Sequence, residues 1–198
     1  MRSAGIGFGL GFLVALQLGP MSLFLIRTVL RSGVRAGLGV GAGIALTDLL
    51  YATAGAAGAA PLVAIDAVRT TLRLVGAAVL VWLGVRSIRA GSRPATEGDR
   101  EAAVSPYRAF RTAVAATAAN PTTILSWVAV FTALPDDTRP VPLVLGVGVG
   151  SLAWFVLLTA GVAAVRHALS RRAIQVADVL AGLGLIGFGA ALAWSALR

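Results

Sequence analysis

Long apolar runs, separated by short basic segments, fill most of this chain. A helix needs about 20 apolar residues to cross a bilayer, and six runs meet that length. They lie near residues 4–26, 36–60, 72–90, 109–134, 141–165 and 176–197. The longest polar stretch, residues 91–108, is too short for a separate soluble domain. The pattern predicts an all-α polytopic membrane protein with six transmembrane helices, residues 1–198 forming one transmembrane domain.

The composition agrees with this prediction and excludes several kinds of chemistry. The 198 residues are 58% hydrophobic and 13% charged, whereas soluble domains carry about 25% charged residues. The chain has no cysteine, which excludes disulfides and thiolate metal sites. Its one histidine, His167, lies beside arginines at a predicted helix end, and without cysteine or carboxylate neighbours it makes a poor metal site. No span carries a nucleophile–base pair, so we expect no enzyme activity, no metal and no cofactor.

The arginines predict the orientation of the spans. All 17 basic residues are arginines, and they cluster between the apolar runs. With six spans, five arginines fall on one side, namely Arg2, Arg69, Arg73, Arg139 and Arg198. The other twelve are Arg27, Arg31, Arg35, Arg86, Arg89, Arg93, Arg100, Arg108, Arg111, Arg166, Arg171 and Arg172. The arginine-rich side should be cytoplasmic, which places loop 91–108 inside and both termini outside. The net charge of +9 therefore reflects topology and does not indicate a nucleic-acid partner.

The two halves of the chain resemble each other. Gly19-Pro20 matches Asn120-Pro121, GVGAG (39–43) matches GVGVG (146–150), and LVGAAVLVWLG (74–84) matches LAGLGLIGFGA (180–190), at separations of 101, 107 and 106 residues. Because each half has three spans, the halves must cross the membrane in opposite directions, as in many secondary transporters. The alternative is chance similarity between helices rich in Ala, Gly and Val. We predict an inverted 3+3 repeat of residues 4–90 and 109–197.

The first helix of each half contains a break. Proline is favoured at the first position of a helix, and Asn is a strong N-cap. Helical segments should therefore begin at Pro20, with Gly19 relieving the backbone before it, and at Pro121, with Asn120 as the cap. Such half-helices present unpaired N–H groups and a positive dipole end, which bind carboxylates. A simple proline kink is the alternative, and either reading predicts a broken or kinked first helix in each half.

Asp48 is the second candidate for function, because it lies near the middle of the second span with no arginine near it in sequence. An ionisable residue at that depth is costly and usually functional. It is suited to carry a coupling proton or to pair with a substrate ammonium group; a protonated Asp48 that bonds another helix is the alternative. Thr47 and Tyr51 lie close enough on the same helix to contribute hydrogen bonds, whereas Trp127 is expected to be a packing residue.

The predicted substrate site combines the two breaks, Asp48 and the polar residues beside them. Its members are Gln17, Gly19, Pro20, Ser22, Asp48, Asn120, Pro121, Thr122 and Thr123. Ser and Thr side chains often bond their own helix backbone, so a structural role for the hydroxyl residues stays open.

Three stretches resemble the LysE/RhtB family of bacterial amino-acid exporters. They are GFLVALQLGPMSLFLIRTVLRSGVRAGLGVGAGIALTDLLYA (11–52), LRLVGAAVLVWLGVRSIR (72–89) and FRTAVAATAANPTTILSWVAVF (110–131). The resemblance implies export of amino acids or similar zwitterions across the bacterial inner membrane, driven by an ion gradient. The matching positions are Gly19-Pro20, Asp48 and Asn120-Pro121. Many family members have a small polar residue after the first break, often Asn, where this chain has Met21.

We therefore expect a proton-coupled exporter of amino acids, with membrane lipid around it and Gly-rich faces that permit a homodimer. Two other readings stay open. The first is a transporter of the same superfamily for an envelope lipid or a metal ion, although the absence of cysteine argues against soft metals. The second is a membrane accessory subunit that does not transport.

Overall fold

The computed structural model describes residues 2–17, 19–58, 65–91, 104–120, 123, 126–127, 130, 139–166 and 168–196. These residues form seven helices and no strand, which confirms the all-α class. The helices are α1 (Arg2–Leu16), α2 (Pro20–Ser32), α3 (Val34–Ala56), α4 (Asp66–Gly91), α5 (Pro106–Ala118), α6 (Pro140–Arg166) and α7 (Arg171–Ala196).

Three of these helices are long and apolar enough to cross a membrane: Val34–Ala56, Pro140–Arg166 and Arg172–Ala196. The pair α1 and α2 would add a fourth span, bent by 75° at the break between them. The predicted third span corresponds to α4, which has 26 residues but carries charged residues at both ends that lower its apolarity. Much of the predicted fourth span beyond Asn120 lies outside the described residues. The described chain therefore contains three or four candidate spans.

The helices pack in pairs, and contacts near their ends show the relative direction of the two helices in each pair. α4 and α7 run antiparallel, because Arg73 near the start of α4 donates to the carbonyl of Ser195 at 2.8 Å, while Ser87 near its end donates to the carbonyl of Asp178 at 2.7 Å. α1 and α6 run parallel, and the backbone amide of Arg139 donates to the Ser3 hydroxyl at 3.2 Å where both helices begin.

Glycines allow the backbones to approach closely in two helix pairs, α3 with α5 and α1 with α6. A Cβ on Gly43 of α3 would lie 2.7 Å from the carbonyl oxygen of Phe110 in α5, and Gly39 packs on the backbone of Pro106. In α6, Gly150 packs on the carbonyl of Phe8 and Gly146 on that of Ala4.

The two sets of contacts correspond residue by residue. The glycines at 39 and 43 are related to those at 146 and 150 by 107 residues, which is the separation that the sequence match predicted. Their partners at 4 and 8 are related to those at 106 and 110 by 102 residues, one more than predicted from the two breaks.

The α4–α7 pair shows a third match. A Cβ on Gly84 would lie 2.6 Å from the Gly182 carbonyl, and one on Gly189 would lie 3.0 Å from the Ala77 carbonyl. These positions are related by 105 residues, within one residue of the predicted 106. Side chains on the outer faces of the helices, such as Leu13, Val149 and Leu180, are more than half exposed, as lipid-facing residues would be.

Candidate functional site

The first break lies between Leu16, where α1 ends, and Pro20, where α2 begins. Proline occupies the first helical position, as predicted. Gly19 is extended, with φ −106° and ψ −169°, a conformation open to any residue, so the expectation that glycine is needed there to relieve the backbone is wrong. The N-cap residue, Gly19, has no side chain with which to cap α2. As in the first turn of any helix, the backbone amides of Met21 and Ser22 have no acceptor within their own helix.

The second break lies at Asn120. α5 ends at Ala118, the amide of Ala119 closes its last turn on the Ala115 carbonyl at 3.1 Å, and Asn120 itself is buried and non-helical. Thr123 is helical again, so the helix is interrupted at Asn120, as predicted. Pro121 and Thr122, which were predicted to bind substrate, lie outside the described residues.

Asp48 lies near the middle of α3 and is 2% exposed. Each of its carboxylate oxygens accepts a hydrogen bond: Trp127 Nε1 donates to Oδ1 at 3.0 Å, and Ser151 Oγ donates to Oδ2 at 2.6 Å. Both donors are neutral. Groups on two other parts of the chain thus hold the carboxylate, and no cation pairs with it among the described residues.

Two neighbours of Asp48 have separate roles. The Tyr51 hydroxyl donates to the carbonyl of Ala118 at 2.7 Å, at the last residue of α5. α3 therefore holds the second break on both sides, through Tyr51 before it and through the Asp48–Trp127 bond after it. Thr47 donates to the carbonyl of Gly43 in its own helix at 3.0 Å, so the expected contribution of its hydroxyl to the site is not found.

A cavity of about 60 Å³ joins the two breaks to Asp48. By the same measure one water needs roughly 10–15 Å³, so the space admits several waters or a small polar group. The predicted residues that line it are Gln17, Gly19, Pro20, Ser22, Asp48, Asn120 and Thr123. Seven of the nine predicted residues are therefore brought together, and the other two are the undescribed Pro121 and Thr122. Asp48 is the one charged residue among the described residues that line the cavity.

The remainder of the cavity wall is mostly apolar. It comprises Val14, Ala15, Met21, Ile44 and Phe155, together with the hydroxyl residue Ser126. Met21, the position at which the chain departs from the family pattern, is thus part of the apolar wall. Phe155 of α6 lies 107 residues after Asp48, the separation that relates the glycines of α3 to those of α6. The two positions that correspond in the two halves accordingly supply one acidic and one aromatic side chain to a single cavity.

Three residues of this site were not predicted from the sequence. Trp127 was expected to pack, yet it donates to Asp48. Ser151 follows directly after GVGVG, and its position near a helix-packing motif in a span was the available signal. Phe155 is an aromatic residue in a long apolar run, which gives no sequence signal of a role in a site. What hydrogen-bonds to Asp48 depends on how α6 docks on α3, which no local pattern reveals.

Replacing Ser151 with Ala should destabilise the protein. The change leaves Asp48 Oδ2 without its donor, at a cost of about 1–3 kcal/mol. We expect the melting temperature in detergent to fall by roughly 2–4 °C per kcal/mol. Thr159 is the matched control in the same helix, because its buried hydroxyl has no hydrogen-bond partner among the described residues. Thr159→Val should be neutral or stabilising, and equal losses in both variants would contradict the assigned hydrogen bond.

Comparison with known proteins identifies the family. A family model described as LysE type translocator matches residues 12–196. This chain belongs to the LysE type translocators. The match covers both breaks and Asp48, and it extends over α6 and α7, which lie beyond the three stretches that carried the resemblance. The predicted membership is therefore confirmed.

Several LysE type translocators and related membrane proteins can be aligned over most of the chain. The uncharacterized membrane protein YahN of Escherichia coli is 31% identical over 155 residues, covering 74% of this chain and 70% of YahN. The chemotactic transduction protein ChpE of Pseudomonas aeruginosa is 30% identical over 160 residues, covering 76% of each chain. A leucine efflux protein of Klebsiella pneumoniae is 28% identical over 185 residues, covering 88% of this chain and 87% of its own. No solved structure matches the chain.

Proposed function

We propose that this LysE type translocator is a secondary active exporter of amino acids, and that the cavity between the two breaks is its substrate site. The observation that carries the proposal is Asp48, a buried carboxylate without a counter-ion among the described residues, facing a cavity at membrane depth. Such a group favours an incoming cation, and the α-ammonium group of an amino acid is one. The similarity to leucine efflux proteins supports the same direction and substrate class.

The two ends of an amino acid would find different partners in this cavity. Asp48 receives the ammonium group. The half-helix that begins at Pro20 receives the carboxylate, since its first amides lack acceptors within the helix. The apolar wall, with Met21, Ile44 and Phe155, accommodates the side chain. This division favours amino acids with neutral, apolar side chains over basic or acidic ones, because a second charge would face the apolar wall.

We further propose that Asp48 couples export to proton uptake. The carboxylate binds either a proton or the substrate ammonium group, and one group cannot serve both at once. Substrate release on the outer side would leave Asp48 free to take a proton, which it would discharge to the cytoplasm before the next substrate binds. The Trp127 and Ser151 hydrogen bonds keep the carboxylate oriented toward the cavity during this exchange.

The proposed architecture is a single transmembrane domain of six spans, in which residues 4–90 and 109–197 form an inverted repeat. The separations of 102, 107 and 105 residues between equivalent glycine contacts support this arrangement. The parallel and antiparallel helix directions are also those that six alternating spans require. We place the end that carries Arg31, Arg89 and Arg166 in the cytoplasm of the bacterial inner membrane, together with the linking segment 91–108, and both termini outside.

Counterflow in proteoliposomes tests this function. Vesicles would be loaded with unlabelled leucine, and uptake of labelled leucine, lysine and glutamate would be compared with and without a proton gradient. We expect exchange of leucine, stimulation of its movement by the gradient, and little movement of the two charged amino acids. If no amino acid exchanged in vesicles that contain folded protein, the exporter proposal would be abandoned.

The similarity to ChpE favours a second candidate, a membrane accessory subunit that takes part in signalling without transport. The two candidates differ in what Asp48 does. An accessory subunit would lose assembly with its partner when Asp48 is replaced and would never catalyse counterflow. The vesicle experiment therefore separates them, because purified protein without any partner should exchange leucine only if it is an exporter.

A further inference from the structure

A buried ion cluster, which was not predicted from the sequence, lies at the end of α2 remote from the cavity. Asp178 of α7 is 1% exposed. Arg31 Nε donates to its Oδ2 at 2.6 Å, and Arg27 Nε lies 3.3 Å from its Oδ1. Arg27 and Arg31 are four residues apart and therefore share one face of α2. Both arginines of that face converge on one carboxylate of a different helix.

The carboxylate belongs to a rigid pair of helices. Ser87 of α4 donates to the backbone carbonyl of Asp178 at 2.7 Å. A short distance along the same interface, a Cβ on Gly84 would come within 2.6 Å of the Gly182 carbonyl, so the backbones of α4 and α7 are in direct contact. Asp178 is thus fixed to a close-packed two-helix unit, while Arg27 and Arg31 belong to a separate half-helix.

The short helix α2 connects the cavity to this ion cluster. Its first residues, Pro20, Met21 and Ser22, line the cavity, and its last turn carries Arg31. The break before Pro20 separates it from α1, and the two helices are bent by 75° relative to each other. Arg166 of α6 adds one contact near the far end, donating to the Leu30 carbonyl at 3.1 Å. Movement of the far end of α2 would accordingly move the cavity wall.

The two ion contacts are unequal. The Arg31 contact is a short hydrogen bond, whereas Arg27 Nε and Asp178 Oδ1 approach as charges without hydrogen-bond geometry. Two arginines share one carboxylate, and Arg86 lies near enough to repel Arg27 electrostatically. The ion contacts fix the last turns of α2 beside α7, while Phe24, Leu25 and Val29 of the same helix are buried in the core.

We propose that Asp178 is a positioning residue that locks the arginine-rich entrance to the cavity. Its pairs with Arg31 and Arg27 hold α2 against α7 and keep Met21 and Ser22 shielded from that side. When the pairs separate, α2 turns about the break at Gly19 and the cavity opens toward the arginine-rich face. The inference rests on the proposed transport function, but the lock itself can be measured without any substrate.

Accessibility of a single cysteine tests the lock, since the natural chain has no cysteine. Met21→Cys places a thiol in the cavity wall, and a membrane-impermeant maleimide is applied from each face of sealed vesicles. We expect Asp178→Asn to raise the labelling rate from the arginine-rich face at least tenfold. Arg31→Gln should raise it in the same direction, and it disturbs the fold less because the Arg31 side chain is 29% exposed. Asp178→Glu, which keeps the charge, should stay close to the parent rate.

Controls make each outcome decisive. Tyr107→Cys, 68% exposed in the first turn of α5, should label equally in every background and reports vesicle orientation. If labelling at position 21 changes less than twofold in both Asp178→Asn and Arg31→Gln, the lock is overturned. Equal increases in Asp178→Asn and Asp178→Glu would also overturn it, by showing a structural role without need for the charge. Leucine counterflow measured in parallel reports separately on the transport proposal.

Discussion

Asp48→Asn should abolish the stimulation of leucine export by a proton gradient. The amide keeps the shape of the side chain and can still accept from Trp127 and donate to the Ser151 hydroxyl, so the fold should be retained. It can neither bind a proton nor pair as an anion with an ammonium group. Hydrogen bonds to charged groups contribute about 1.5–3 kcal/mol, which corresponds to a loss of roughly 10–100-fold in apparent affinity for leucine. Initial rates in proteoliposomes, with and without the gradient, give both quantities.

Thr47→Val is the matched control for this experiment. Thr47 is adjacent to Asp48 and equally buried, but its hydroxyl bonds the Gly43 carbonyl in its own helix and it does not line the cavity. The variant should therefore keep gradient-driven export within about twofold, since the loss of one local hydrogen bond mainly affects stability. Full gradient-driven export by Asp48→Asn would refute the coupling role, whatever the result for Thr47→Val.

The features that the sequence predicted are those with a local physical signature. Proline and Asn favour helix starts through their own local chemistry, so the breaks at Pro20 and Asn120 were evident without any partner. Asp48 was evident because a single carboxylate in a long apolar run has a large desolvation cost that must be compensated. The glycine patterns matched between the two halves of the sequence have separations that agree within one residue with those between the glycine contacts of the helices, which supports the proposed repeat.

The features that were missed depend on how separate helices dock. Asp178 lies seven residues after Arg171 in a segment rich in charge, where an acidic residue is expected to be solvated at the interface. It is instead buried, because α2 turns by 75° at its break and brings Arg27 and Arg31 to it. Likewise Ser151 and Trp127 reach Asp48 only because α6 and the segment after Asn120 pack on α3. Such pairings are set by tertiary packing, and no periodicity within one helix encodes them.

In the proposed inverted repeat, the two halves are alike in packing and unlike in chemistry. The corresponding positions 48 and 155 carry Asp and Phe, and the corresponding positions 44 and 151 carry Ile and Ser. Asp48 and its hydroxyl donor Ser151 therefore come from different halves, and in each case the corresponding position of the other half carries an apolar residue. In the proposed mechanism this asymmetry is what gives an amino acid one orientation in an otherwise two-fold cavity.

Gly150→Ala should strongly destabilise the packing of α1 on α6. A Cβ at this position would overlap the carbonyl oxygen of Phe8 in α1, and backbone atoms cannot rotate away as a side chain would. Overpacking of this kind costs about 1–3 kcal/mol, or roughly 2–12 °C in melting temperature at about 2–4 °C per kcal/mol for a chain of this length. Fluorescence-detected size-exclusion chromatography after heating in detergent measures the shift.

Gly161→Ala, in the same helix, isolates the cause. A Cβ at Gly161 meets no atom within 4 Å among the described residues. Both variants gain the same intrinsic advantage of alanine in a helix, about 1 kcal/mol, so the difference between them reports the contact with α1 alone. We expect Gly161→Ala to melt at or slightly above the parent temperature. If the two variants melted together, the close approach of α1 to α6 would be wrong, and with it the glycine correspondence that supports the inverted repeat.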